Sequence, residues 1–273
     1  MAEHIIYLLG PFQVPGLGQE RHVRVYAPNE AAAGGAPVLF MFDGQNIFHD
    51  APSFSGGWYV HHAVKQLAEQ GLPAPVIVGI DHGGSSRLDE LSPFTSGDSA
   101  GRADELLAWV KGELAPRIAQ EFKVRIDPAG TAVGGSSMGG LAALYAHFRH
   151  PDLFGAALCM SPSFWFAERK IFDYVASQSN PWTSRIYIDA GAKEDGGSVV
   201  ADAERLVHHL RGRGWDDTSL CWIADQDGTH SEHDWRKRAP AALQFLFTGT
   251  PGQRPEAPVT SPLPPGEASP PPT

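Results

Sequence analysis

Apolar residues gather in short, nearly unbroken runs at 38–42, 76–80, 131–133, 156–160, 186–188 and 220–223. Each run is followed by a helix-period or loop-rich stretch. Strands with no polar alternation are buried on both faces, and the β-then-α rhythm predicts a mostly parallel central sheet with helices on both faces. Ahead of them, the apolar stretches 5–9 and 23–26 flank a Pro/Gly-containing turn and predict an antiparallel N-terminal hairpin. Apolar positions three and four apart predict helices over 58–70, 103–122, 138–149, 199–211 and 232–247. Pro116 should kink or break the second of these, because proline lacks an N–H and crowds the preceding turn.

A length of 273 residues suits one such α/β domain, expected over 1–250. From 251 to 273 proline recurs with almost no large apolar residue, so this tail is expected to stay disordered. Charge narrows the partners: a net charge of −10 argues against nucleic acid or an anionic membrane, which call for clustered Lys and Arg. A small, neutral or weakly charged molecule fits better. The opening MAEHIIYLLG carries an acidic residue where a secretory leader is positive, and its apolar part is short, so it reads as a first strand and the cytoplasm is expected. The two cysteines, Cys159 and Cys221, lie inside apolar runs and read as reduced core thiols.

The run at 131–133 leads into Gly134-Gly135-Ser136-Ser137-Met138-Gly139-Gly140 and then a helical pattern. That is G-x-S-x-G between a strand and a helix, and only Ser137 has glycine two residues away on both sides. A sharp turn there lifts the serine oxygen off the sheet edge. The following helix brings free N–H groups to the place where an oxyanion forms, with the Met138 N–H as first donor. A nucleophilic serine needs a base and an acid, which in such an order follow later strands. After 186–188 the stretch DAGAKED offers Asp189, Glu194 and Asp195, and after 220–223 the stretch DQDGTHSEHDW offers His230 and His233. Asp189 sits at the strand end and suits a turn-stabilising role, so the loop residues are the better acids, Glu194 ranked ahead of Asp195. His230 lies in an irregular loop after Gly228, while His233 falls in the first turn of the last helix, so His230 is the expected base. The loop DGQNIF after 38–42 should supply the second oxyanion donor, the Gln45 N–H. His61/His62 and His208/His209 lie on helices and read as structural or solvated, and no metal or cofactor is expected. Candidate substrate contacts are Trp165, Phe164 and Trp58, with Phe48, Phe166 and Trp182 as further pocket walls.

These motifs resemble the esterases related to esterase D (S-formylglutathione hydrolase), a group that includes enterochelin and feruloyl esterases and mycolyltransferases. The resemblance rests on DGQNIF, VGIDHGGSSRLDELSPF, GGSSMGG, RHPDLFGAALCMSPSFW, DAGAKED and HSEHDWRKRAPAALQFLF, and runs to about Phe247. It implies an α/β-hydrolase fold and a serine ester hydrolase in which Ser137 attacks, His230 shuttles the proton and Glu194 orients the imidazole. It also implies that Arg87 and Glu90 of RLDE form a supporting Arg/Glu pair. Two other readings stay open: an acyltransferase of the same family, and a non-catalytic carbohydrate- or protein-binding module on the same scaffold.

Overall fold

The computed structural model describes residues 5–28, 35–53, 55–180 and 184–250. The expected tail at 251–273 and the pocket-wall candidate Trp182 lie outside these residues. Among them, eight strands form one sheet: β1 (Ile6–Gln13), β2 (Glu20–Tyr26), β3 (Val38–Phe42), β4 (Val76–Ile80), β5 (Thr131–Ser136), β6 (Ala156–Met160), β7 (Arg185–Gly191) and β8 (Leu220–Asp225). Their spatial order is β1-β2-β4-β3-β5-β6-β7-β8. β1 and β2 pair antiparallel, β2 joins β4 antiparallel, and every pair from β4 to β8 is parallel. The expected hairpin and parallel sheet are both present.

Successive side chains of a strand point to opposite faces, so each apolar run feeds two cores. Val38, Phe40, Val78, Val133, Cys159 and Ile188 enter the larger core. Helices α3 (Ala103–Trp109), α4 (Ala115–Phe122), α5 (Met138–Arg149), α6 (Phe166–Ser177) and α7 (Ser198–Gly212) contribute to it. Leu39, Met41, Ile77, Leu158 and Tyr187 face the other core, under α1 (Val60–Glu69) and α8 (Glu232–Thr248). Cys159 and Cys221 are buried and not disulfide-bonded, and they lie in different cores, on opposite faces of the sheet.

The expected break at Pro116 takes the form of a wide π-turn over Val110–Leu114, with the Ala115 N–H bonded to the Val110 carbonyl. One extra residue in the turn makes room for a proline that has no N–H to give and a ring to accommodate. Two helices escape the apolar periodicity: α6, and the five-residue α2 (Arg87–Leu91). In α6, Ala167, Glu168 and Arg169 take left-handed φ values of 49°, 55° and 65°. A side chain in that region costs on the order of 1 kcal/mol or more per residue. Arg169 is tied down by a 2.8 Å ion pair with buried Asp202.

α5 is buried almost all round because it runs behind the sheet's centre. It carries His147, fully buried, whose Nε2 meets the Ser184 hydroxyl. Burial lowers the His147 pKa from 6.5 to about 4. The unfolded chain therefore takes up this proton first, and stability falls as pH drops from 6.5 toward 4, by up to about 3 kcal/mol. Urea denaturation of wild type and His147→Gln between these pH values checks this. The variant should show the flatter profile, and identical slopes would remove His147 from the account.

Candidate active site

β5 ends at Ser136, and α5 starts at Met138. Ser137 between them has φ 55° and ψ −123°, a conformation open to few side chains. The turn is tight enough that a Cβ on Gly135 would come within 2.8 Å of the Gly139 backbone. The Ser137 N–H is tied to the Met160 carbonyl at 3.0 Å, and its own carbonyl accepts from Leu141 and from Ser163. Starting a helix at Met138 leaves the first N–H groups without intrahelical acceptors, and they gather the helix's partial positive charge at this turn.

Beside it, the chain leaves β3 through Asp43, which is buried and left-handed at φ 57°. Arg87 grips the Asp43 carboxylate with two hydrogen bonds of 2.6 and 2.8 Å. The carboxylate also lies against the start of α5: a Cβ on Gly139 would be 3.3 Å from Asp43 Oδ2. Gln45 follows in a short turn over Gly44–Asn46, its side-chain oxygen accepting the His82 N–H at 3.1 Å. Arg87 and Glu90 do not pair with each other. Glu90 binds buried Arg21 and accepts the Gly83 N–H at 2.7 Å. The two halves of RLDE thus clamp two different loops, a division that four adjacent letters do not reveal.

β7 ends at Gly191, and the chain then places Glu194 at 2% exposure. Glu194 Oε2 accepts from His230 Nδ1 at 2.8 Å. Oε1 accepts from the Ser161 hydroxyl and the Gly191 N–H, each at 2.7 Å. Burial alone would raise the carboxyl, but the bonds from His230, Ser161 and Gly191 outweigh it and hold its pKa below the ordinary value. Glu194 is thus kept as a carboxylate. Asp195 is exposed, and Asp189 is fully buried in an ion pair with Arg238 (2.8 Å), so of the three acids Glu194 meets the imidazole.

His230 is about two-fifths exposed. With Nδ1 donating to Glu194, Nε2 is the ring nitrogen left to accept a proton. Its loop is fastened to the start of α8: the Asp234 carboxylate accepts the Thr229 N–H at 2.8 Å and the Thr229 hydroxyl at 2.6 Å, and the Ser231 side chain caps the helix through the Asp234 N–H. Trp235 packs edge-on against the imidazole at 5.1 Å between centroids. His233 is exposed and pairs with its neighbour Asp234.

His230 and Glu194 are in contact, whereas the Ser137 hydroxyl is within reach of the Ser163 hydroxyl at 3.2 Å rather than of the imidazole. In free enzymes the nucleophile–base bond is often long and tightens with substrate. Of the expected substrate contacts, Trp165 is half exposed two residues beyond Ser163. Phe164 is completely buried against Phe172, and Trp58 is buried beside Trp235. Phe48 and Phe166 are buried as well. Aromatic character alone does not distinguish a rim from a core.

Ser161 was not foreseen. It sits left-handed at φ 42° just past β6, and its hydroxyl donates to Glu194 while accepting from Trp235 Nε1 at 2.9 Å and from Arg238 at 3.2 Å. The short SPSFWF run after a buried strand, with serine at its first and third positions, is where the sequence could have pointed to it.

Among the described residues no helix is long and apolar enough to cross a membrane. The iron(III) enterobactin esterase of Escherichia coli K12 is 31% identical over 231 residues, covering 81% of this chain and 52% of that protein. The chain therefore spans about half the length of the enterobactin esterases it matches. The crystal structure of BES protein from Bacillus cereus aligns at TM-score 0.73 and 19% identity, covering 90% of this chain and 95% of that one. The enterobactin esterase of Shigella flexneri, determined in the presence of enterobactin, aligns at TM-score 0.67 and 26% identity over 90% of this chain and 57% of that chain. The likeness to both solved structures lies in the fold, the mostly parallel eight-stranded sheet described above. The Esterase family model runs over residues 15–246, from before β2 to near the end of α8 and so across every loop that builds the site; the chain belongs to the Esterase family.

Proposed function

We propose that the chain is a serine carboxylic-ester hydrolase. The observation that carries this reading is the buried Glu194 carboxylate bonded at 2.8 Å to His230 Nδ1, on the same sheet edge as a serine held at positive φ. Ser137 Oγ adds to the ester carbonyl carbon as its proton passes to His230 Nε2, and the carbonyl π pair moves onto oxygen. The Met138 and Gln45 N–H groups receive that oxyanion. Collapse of the intermediate breaks the ester C–O bond, and the proton on His230 goes to the leaving alcohol. Water, deprotonated by the same imidazole, then releases the acid from the acyl-enzyme. Glu194 stays ionised throughout and stabilises the imidazolium, a role that its low pKa supports.

For substrate, the relatives named as enterobactin esterases support a lactone or ester bearing an aromatic acyl group, and half-exposed Trp165 is a flat apolar surface suited to such a ring. The test is relative kcat/KM on p-nitrophenyl butyrate, methyl ferulate, S-formylglutathione and a catechol-bearing trilactone. The trilactone or the feruloyl ester should lead, and Trp165→Ala should narrow that lead. Preference for S-formylglutathione would overturn the substrate class, and no turnover of any ester would overturn the activity.

A further inference from the structure

We infer that Ser163 is a positioning residue for the nucleophile, a role that rests on the serine-hydrolase reading above. Its hydroxyl lies 3.2 Å from Ser137 Oγ, and Ser163 is 3% exposed, so the Ser163 side of this part-buried contact is closed to bulk water. The pair is fixed at the backbone too. The Ser163 N–H donates to the Ser137 carbonyl at 3.0 Å, and the Ser163 carbonyl accepts the Phe166 N–H at 3.1 Å. Pro162 packs closely against the first turn of α5, since a Cβ on Gly140 would stand 3.1 Å from the Pro162 side chain. Two residues earlier, Ser161 donates to Glu194. One tripeptide, Ser161-Pro162-Ser163, thus touches both ends of the proposed Ser-His-Glu chain.

A hydroxyl has one donor and two acceptor sites, so Ser163 can serve Ser137 in two states. At rest it accepts the Ser137 proton. When that proton turns toward His230, the Ser163 O–H turns to donate to Ser137 Oγ. The attacking oxygen then has a fixed partner at the moment negative charge grows on it. Hydrogen bonds to charged oxygens are the strong ones, so losing this one should slow attack by on the order of 10- to 100-fold.

Three variants test it: Ser163→Ala, Ser163→Thr, which restores a hydroxyl, and Ser163→Cys, which keeps the volume but only a weak donor. The measurements are kcat and KM on p-nitrophenyl butyrate, the second-order rate of inactivation by diisopropyl fluorophosphate, and the melting temperature. Ser163→Ala and Ser163→Cys should lose kcat and inactivation rate by the same factor with KM nearly unchanged, and Ser163→Thr should recover most of both. Should alanine fail to fold, the cysteine variant carries the comparison. Wild-type inactivation rates in either variant, a loss confined to KM, or no recovery with threonine would each overturn the role. Failure of the serine mechanism itself looks different: Ser137→Ala would then keep its activity.

Discussion

Ser137→Ala is expected to lower kcat/KM for ester hydrolysis by on the order of 10⁴-fold or more, because the proposed nucleophile is removed while the rest of the machinery stays. Alanine can occupy the same φ of 55° that serine does, and the Gly135–Gly139 contact and the Ser137 N–H bond to Met160 involve no side chain at this position. Melting temperature should therefore stay close to wild type. What activity remains would come from the oxyanion donors and from binding alone. Undiminished turnover in a folded Ser137→Ala protein would end the serine mechanism.

Glu194→Gln should follow with a loss on the order of 10³- to 10⁴-fold in kcat, as expected when a triad carboxylate becomes an amide. The amide cannot stabilise an imidazolium, and its NH2 end can favour the imidazole tautomer with the proton on the wrong nitrogen. It also disturbs a buried cluster, since Ser161 and Gly191 both donate to Glu194 Oε1. Asp195→Asn should change kcat less than about 3-fold, the usual consequence of altering an exposed side chain with no role in the site. Parallel steady-state kinetics on the two variants decide between neighbouring acids. A larger loss in Asp195→Asn would move the acid by one residue and contradict the hydrogen bonding around Glu194.

The sheet was legible because a strand buried on both faces must be apolar at every position, and β3, β4 and β6 begin and end where their apolar runs do. The elbow was legible for a related reason: two backbones cannot approach as closely as those of Gly135 and Gly139 with side chains between them. The Glu194–His230 contact joins two loops that the sequence singled out, whereas Asp189 at the strand end is drawn into an ion pair with Arg238. Other features depend on partners far apart in the chain. Asp43 meets Arg87, Arg21 meets Glu90, and Ser161 meets Glu194, Trp235 and Arg238, each across loops whose spacing carries no periodic trace. The start of α6 was hidden more deeply. A left-handed turn built from Ala167, Glu168 and Arg169 has no glycine to announce it and is held by packing and the Arg169–Asp202 pair.

Ser161 and Ser163 change how the site is read. The proposed nucleophile, Ser137, and the proposed acid, Glu194, come from different strand ends, yet one loop after β6 reaches both through hydroxyls. On the proposed mechanism, loss of either hydroxyl is expected to lower kcat rather than raise KM.

The most direct test is to label the purified wild-type protein with a fluorophosphonate and map the adduct by peptide mass spectrometry while following esterase activity. A single adduct on Ser137, formed in step with loss of activity and missing from Ser137→Ala, is the predicted result. Full inactivation with the adduct on another residue, or ester turnover that persists with Ser137 fully modified, would contradict it.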